Sequence, residues 1–506
     1  MEGQPTLHRN ADLSAGNKPY LAFGLPALLV IAGLLLFGRL PCPLLEPEEA
    51  RYAEIAREML AEGQFLTPVL HDAPYLQKPP MLYWLIMGCY CLFGVHDWSA
   101  RLVPCLAAFL MVSLTVIWAW RRIGGQAGLW AGLILCLSAG FVYRAPLINM
   151  DSLLALWVLA ALAAGHEALA GTRLHRRWWL LSAAACSLGI LTKGPVALVL
   201  VLTPLIGWRW IERSCPRICI RSWLAYLAVA IGLACPWYLV MLIQDSEAAA
   251  AFFWLHNLQR YLTPFDHVQP WWYYLPELAG GMLPWSLLLI PYFWKTCFRR
   301  AGSVGDRSYS CDHGIPPVAN APGSPIGFFV LALCWCLLFF SLSGCKRPGY
   351  ILAAMPLLAL ILGSLLARGS FLGWAGLRGG TRLTWLAAAM LALLLPAVFW
   401  LLPAYHNRFA MRALVWNQND RPLPVACYPR GWDSIPFYLE RHDVRVYSAA
   451  IKDTLLANLQ QQGETLLFVK TPFLKDFQAT LPASLEFIPR GPRAGNVTAG
   501  VIVRRQ

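Results

Sequence analysis

The sequence predicts a polytopic α-helical membrane protein of about eleven spans, with a first outer loop of juxtamembrane helices and a small C-terminal α/β domain. Three observations carry that prediction. Of 506 residues, 58% are hydrophobic and 13% charged, more apolar surface than one soluble core can hide. Apolar runs of about 15–22 residues recur, approaching or reaching the roughly 20 residues that cross a hydrocarbon layer. Basic residues collect in alternate loops, as cytoplasmic loops do.

The spans follow in order at 20–39, 101–119, 125–143, 152–170, 178–192, 195–210, 222–243, 274–294, 326–343, 349–367 and 383–402. The first run, Tyr20–Phe37, is too long for a signal peptide and no small-residue cleavage site follows, so it reads as a retained span. The stretch 80–94 is apolar but short. Placed at the interface, or dipping in and returning, it lets the charges sort: the loops after every second span hold Arg121 and Arg122; Arg173, Arg176 and Arg177; Arg209, Arg213, Arg217 and Arg221; Lys295, Arg299, Arg300 and Arg307; and Arg368, Arg378 and Arg382. That bias puts the N-terminus in the cytoplasm and the C-terminus outside, and it accounts for the net charge of +14 better than nucleic-acid binding, for which there is no basic–aromatic patch or zinc spacing. The fifteen cysteines lie mostly inside apolar runs and form no CxxC pair, which leaves zinc and redox chemistry without support.

Residues 1–403 thus form the transmembrane domain, with a first outer loop at 40–100. Residues 404–506 change character: LPVACY, VRVYSA, TLLFVK and AGVIV read as strands, with SIPFYLERH and KDTLLANLQQ as helices between them. The outer face also receives 144–151, 193–194, 244–273 and 344–348. These segments and the first loop carry polar groups that the inside bias leaves unexplained, namely Glu48, Arg51, Lys78, Asp151, Lys193, His256, Arg260 and Lys346. Ionisable groups near membrane depth are costly unless paired or hydrated, so five segments delivering them to one face point to one shared cavity.

In EPEEARYAEIAREML, residues 46–60, Pro47 suits a first helical position, Glu48 and Glu49 suit the positive end of the dipole, and Gly63 suits the end. Glu48, Arg51 and Tyr52 share one face, and Glu54, Arg57 and Glu58 form a second charged set. Two readings stand for both sets, an ion-paired amphipathic helix at the headgroups or part of a site. In APYLQKPPMLYW, Lys78 precedes two prolines that restrict its backbone at the bilayer edge, where it meets a phosphate or simply snorkels. Lys193, Arg260 and Lys346 read either as phosphate-binding cations or as span-end anchors, and Asp151 as a helix cap, a functional carboxylate, or both. The lone His256 reads as structural or, less favoured, as a ligand, and Trp271–Tyr274 as an interfacial belt ahead of a sugar-stacking platform.

Taken in order, PEEARYAEIAREML, PYLQKPPMLYW, NMDSLLAL, LTKGPVAL, LHNLQRYL and GCKRPGYILAAMPLLAL resemble the C-type membrane glycosyltransferases, in particular the lipid A aminoarabinose transferases and protein O-mannosyltransferases, over roughly residues 20–370. The resemblance implies a GT-C fold and transfer of a sugar from a polyprenyl phosphate at the outer face of a bacterial inner membrane to a lipid, glycan or protein acceptor. It places Glu48 at the acidic position of the first outer loop, where the family usually has Asp, with Glu49 beside it as the alternative. Asp151 matches a second acidic position. Arg51, Tyr52, Tyr75 and Lys78 match residues bordering the phosphate and sugar cavity, Lys193 and Arg260 match phosphate contacts, and Lys346 and Tyr350 match the late KxPxY element. Aminoarabinose transferases commonly read Glu-Lys-Pro where this chain has Gln77-Lys78-Pro79; the neutral Gln77 implies a different sugar and no required metal, although a divalent ion is compatible with the family.

The chemistry can be read from the residues. An acceptor oxygen attacking the anomeric carbon is helped by a carboxylate base, for which Glu48 is the choice, with Asp151 orienting it or the acceptor. The leaving lipid phosphate is already a stable anion, so cations meeting the growing charge lower the barrier, and one attack from the opposite face inverts the anomeric carbon. The alternative is a transporter or flippase of a lipid-linked substrate. It is ranked below because transporters place charges mid-bilayer on broken helices in repeated halves, whereas here the charges sit at span ends and no repeat is visible.

Overall fold

A computed structural model describes residues 18–263, 266–290, 324–367, 379–416, 423–491 and 493–505. Lys295, Arg299, Arg300, Arg307, Arg368 and Arg378 lie outside the described residues, as does the side chain of His256. Among the described residues five helices are long and apolar enough to cross a membrane: Asp97–Arg122, Met150–Leu169, Pro325–Leu342, Pro348–Ala367 and Thr381–Phe409. A sixth candidate is the Ile220–Gly232 and Cys235–Gln244 pair, bent by 50° at its break. Shorter apolar helices occupy Gly24–Phe37, Met81–Phe93, Gly125–Cys136 and Val196–Ile211. The 13-residue Met81–Phe93 helix is about 20 Å long at 1.5 Å per residue, short of the roughly 30 Å hydrocarbon layer.

The chain packs as two compact units. The first comprises residues 1–37, 76–81 and 104–395. Its helices pack through small residues: a Cβ added at Gly363, on Met355–Ala367, would come 2.6 Å from the Ala131 amide nitrogen and 2.8 Å from the Ala127 carbonyl. Backbones touch there, and dispersion and close approach replace the hydrophobic drive that lipid does not supply. Outward, Trp385 and Leu393 are exposed, as lipid-facing side chains are.

The second unit comprises residues 38–75, 82–103 and 396–506. A short hairpin pairs β1 (Val69–Leu70) antiparallel with β2 (Ala73–Pro74), and a five-stranded sheet is built from β3 (Val425–Tyr428), β4 (Val444–Val446), β5 (Thr465–Lys470), β6 (Leu485–Pro489) and β7 (Val497–Arg504) in the order β4-β3-β5-β7-β6. β3 is parallel to β4 and β5, reached through helices Ser434–Leu439 and Lys452–Gln462, while β7 runs antiparallel to β5 and β6. Leu455, Leu459, Leu467, Val469, Phe477, Phe487 and Ile502 form its core. The four expected strands and two expected helices are present. The sequence reading lacks β6, whose alternation covers only Leu485, Glu486 and Phe487, and the Thr471–Ala479 helix, which starts directly at the end of β5.

The first outer loop forms the Glu48–Ala61 helix, with Gly63 beyond its end at φ 65°. Glu54, Arg57 and Glu58 are buried, which removes the headgroup-level reading for that face. Arg57 grips both oxygens of Glu54 at 2.7 Å and donates to the Arg441 carbonyl at 3.1 Å. A buried pair of carboxylates so close cannot both ionise cheaply. Burial, reinforced by Glu54, pushes the Glu58 carboxyl up to about 8. A group raised in the fold contributes stability below its unfolded value near 4.5 and loses that contribution as pH rises through about 8. We therefore expect Glu58→Gln to melt close to wild type below pH 5 and at progressively higher temperature than wild type from pH 5 to about 8, with the difference levelling off above that; a constant difference from pH 5 to 8 would refute the assignment.

Candidate functional site

In the first unit, a cavity of about 350 Å³ opens among Lys78, Lys193, Arg260, Tyr350 and a set of apolar walls that includes Val196, Val199, Phe253, Phe339 and Phe340. Its cations arrive from separate places. Lys193 is the last residue of the Arg176–Lys193 helix, near the negative end of its dipole. Asp151 stands in the first turn of Met150–Leu169, and the cap there is Asn149, whose side chain accepts the Asp151 amide. The Asp151 carboxylate is therefore left to pair with the Lys193 ammonium, and both side chains are largely buried. The same ammonium lies 3.8 Å from the centroid of the Tyr350 ring, a cation–π contact. Arg260 pairs with Asp266.

Lys78 is half-buried at the pocket wall. Desolvation, with Lys193, Arg260 and Arg347 adding like charge and Asp151 partly offsetting it, pushes its ammonium down to about 7. The two prolines after it, Pro79 and Pro80, are buried and precede the Met81–Phe93 helix. The pocket thus gathers positive charge beside an apolar wall, an arrangement that suits an anionic head on a hydrocarbon tail.

Lys346 is placed differently. Its side chain is buried and its Nζ donates to the Ser343 carbonyl, and it is not among the residues lining the cavity. The neighbouring Arg347 acts on Lys78 electrostatically and shares a 3.1 Å hydrogen bond with His267. Arg347 is likewise not among the residues lining the cavity. Asn257, which also lines the cavity, carried no signal.

The second unit holds Glu48, Arg51, Tyr52 and Tyr75. Glu49 is buried and bound to Arg101 at 2.9 Å, while Glu48 is half-buried. Arg101 has no exposed surface and also donates to the carbonyls of Leu40, Cys42 and Pro43, while Arg412 donates to the Pro41 carbonyl, so two guanidiniums hold the chain leading into the helix. Arg51 bonds Asp433 at 2.9 Å and also Tyr75, and His71 bonds the other Asp433 oxygen at 2.9 Å. The Tyr52 ring lies 6.1 Å from that of Tyr83. Asp433 stands at the N-cap of the Ser434–Leu439 helix, where its side chain makes no cap bond, and the sequence reading did not single it out. Among the described residues, Glu62, Asp72 and His442 have ligand atoms within 4.8 Å of one another; all three are exposed, and none is a candidate site residue.

Residues 44–256 match the dolichyl-phosphate-mannose-protein mannosyltransferase family. The chain is 32% identical over 480 residues to undecaprenyl phosphate-alpha-4-amino-4-deoxy-L-arabinose arabinosyl transferase 1 of Pseudomonas fluorescens, a match covering 92% of this chain and 76% of that one. Transferase 2 of the same organism is 32% identical over 357 residues, 68% of this chain and 56% of the relative, so this match spans little more than half the relative's length. The fold is shared with ArnT from Cupriavidus metallidurans, solved bound to undecaprenyl phosphate: TM-score 0.72, 22% identity, 96% of this chain and 98% of that one covered.

Gly349 lies against the Asp151 carboxylate so closely that a Cβ there would collide with it. Gly349→Ala is expected to cost about 1–3 kcal/mol of stability, as overpacking does. Asp151→Ala should relieve much of that cost, so a double-mutant cycle read by denaturant unfolding should give strong coupling. Additive effects would mean that the two residues do not touch.

Proposed function

The chain belongs to the C-type membrane glycosyltransferase family of the undecaprenyl phosphate-linked arabinosyl transferases, and from that premise we propose that it transfers a sugar from a polyprenyl-phosphate donor to a lipid or other envelope acceptor at the outer face of a bacterial inner membrane. The observation that carries the proposal is the pocket in which Lys78, Lys193 and Arg260 stand beside Val196, Val199 and Phe339: cations for a phosphate, hydrocarbon for a prenyl chain. The orientation and span count read from the charges belong to the same proposal: eleven spans over residues 1–403, N-terminus cytoplasmic, and residues 404–506 as a periplasmic α/β domain.

In this reading the acceptor hydroxyl or phosphate oxygen bonds to the anomeric carbon as the bond from that carbon to the lipid phosphate breaks. Glu48 takes the proton of an acceptor hydroxyl, and polyprenyl phosphate leaves with the electron pair. Lys78, Lys193 and Arg260 stabilise the phosphate as charge builds on it, with Arg347 and Lys346 adding to the field. Asp151 keeps Lys193 in place. Arg51, Tyr52, Tyr75 and Tyr350 border the sugar. No metal is required. An uncharged sugar fits better than an amino sugar, because a further cation beside Lys78, Lys193 and Arg260 is repelled and Gln77 offers no charge to meet it. Transport of a lipid-linked substrate has less support, since Asp151 and Lys193 stand at helix ends and not at mid-span.

Labelled donor and extracted envelope lipid provide the test. Wild type should transfer a neutral sugar faster than an amino sugar, with inverted configuration and without sensitivity to chelator. Glu48→Gln should lose about 10²–10⁴-fold in rate, the usual contribution of a general base. Retained configuration would sink the single displacement.

Lys78 supplies a second test. An anionic phosphodiester favours its charged form, so the complex holds the proton to higher pH than the empty pocket does. Donor affinity should be flat below pH 7 and fall by up to about tenfold per pH unit above it. Lys78→Met should abolish that slope in a titration of bound donor, and an unchanged slope would remove Lys78 from the phosphate site.

A further inference from the structure

A second cavity, of about 280 Å³, lies in the same unit at the far end of the helices that carry Asp151 and Lys193. Asp151 and Glu167 are separated by 16 residues of one helix, about 24 Å along its axis at 1.5 Å per residue. The hollow sits between Asp97–Arg122, Met150–Leu169 and Arg176–Lys193. Its walls are apolar, with Leu114, Ile117 and Leu181 beside Ala160, Ala163 and Ala164. Ile117 is 50% and Leu181 55% exposed, so the slot opens on the surface that such helices turn to lipid.

The rim differs from an ordinary lipid-facing groove. Glu167 takes Arg122 at 2.6 Å and Arg121 at 3.3 Å, so one carboxylate is shared by two guanidiniums and positive charge is left over. Arg121 is about half exposed and lies 5.4 Å above the Trp178 ring, which also lines the slot. Arg173, Arg176 and Arg177, on the turn leading to Trp178, are exposed as well. Trp118, another wall residue, is buried, and its indole N–H has no hydrogen-bond partner among the described residues.

We infer that this slot holds an acyl chain of an anionic glycerophospholipid, with the phosphate on Arg121 and Trp178 at the interface level, in the leaflet opposite the Asp151–Lys193 pocket. Charge complementarity selects this occupant: a zwitterionic headgroup would bring its own cation to a rim that already carries surplus positive charge. The alanines make the room, the arginine holds the headgroup, and the lipid fills a gap that would otherwise cost packing between three helices.

The test is native mass spectrometry of the purified full-length protein titrated with phosphatidylglycerol or with phosphatidylcholine, with melting temperature followed in parallel. Wild type should retain phosphatidylglycerol preferentially and gain thermal stability from it. Arg121→Gln, a mild change at an exposed position, should lower phosphatidylglycerol retention about fivefold, the worth of one basic residue at an anionic surface. Ala164→Leu should lower retention by filling the slot. Arg121→Gln retains the slot itself, so it tests the headgroup contact even if Ala164→Leu fails to fold. Equal retention of the two lipids, or retention indifferent to Arg121→Gln, would overturn the inference, as would displacement of the bound lipid by equimolar polyprenyl phosphate.

Discussion

The ion pair between Asp151 and Lys193 is the contact on which the pocket depends. Three further cations, Lys78, Arg260 and Arg347, act on the same space, and a low-dielectric site cannot hold such a crowd without a fixed counter-charge. Helix geometry supplies it. A lysine in the last turn of one helix meets an aspartate in the first turn of its neighbour, so each charge sits at the favourable end of its own dipole. Asn149 takes over capping and frees the carboxylate, while Gly349 lets the carboxylate lie against backbone. The pocket is thereby left short of the negative charge that a phosphate brings.

The second unit solves a related problem with the opposite sign. The first outer loop carries Glu46, Glu48, Glu49, Glu54 and Glu58 in one short stretch, and partners both near and far in sequence meet several of them. Arg101 takes Glu49, Arg57 takes Glu54, and Ser434 donates both its amide and its hydroxyl to Glu46. The Oε2 of Glu58 has no hydrogen-bond partner among the described residues, and burial pushes this carboxyl up to about 8. Asp433 gives Arg51 and His71 a common acceptor.

How far the sequence could be read follows from the range of each interaction. Membrane helices were legible because twenty apolar residues leave few alternatives, and the Lys452–Gln462 helix and β5 because their periodicities are local. Lys78, Lys193, Arg260 and Tyr350 were legible because charges and a tyrosine at span ends are conspicuous in an apolar chain, and the family resemblance added their order. The burial of Lys346 on the Ser343 carbonyl was not legible, since that contact exists only once the turn before Pro348 is folded. Asp433 was invisible for another reason: its partner Arg51 lies 382 residues away, and no local pattern distinguishes a cap from a long-range acceptor.

Arg101 carries a consequence for the order of assembly. The stretch from Leu40 to Pro43 has no ladder or helix of its own; a side chain some sixty residues later meets the carbonyls of Leu40, Cys42 and Pro43, and Arg412 meets that of Pro41. Arg57 and Arg51 wait longer still, for the Arg441 carbonyl and Asp433. During synthesis the first loop leaves the ribosome as an acidic segment whose settled shape depends on chain not yet made. Its final conformation is therefore completed from the C-terminal end, and a nascent chain halted before residue 433 would carry the loop's glutamates without the framework that aims them.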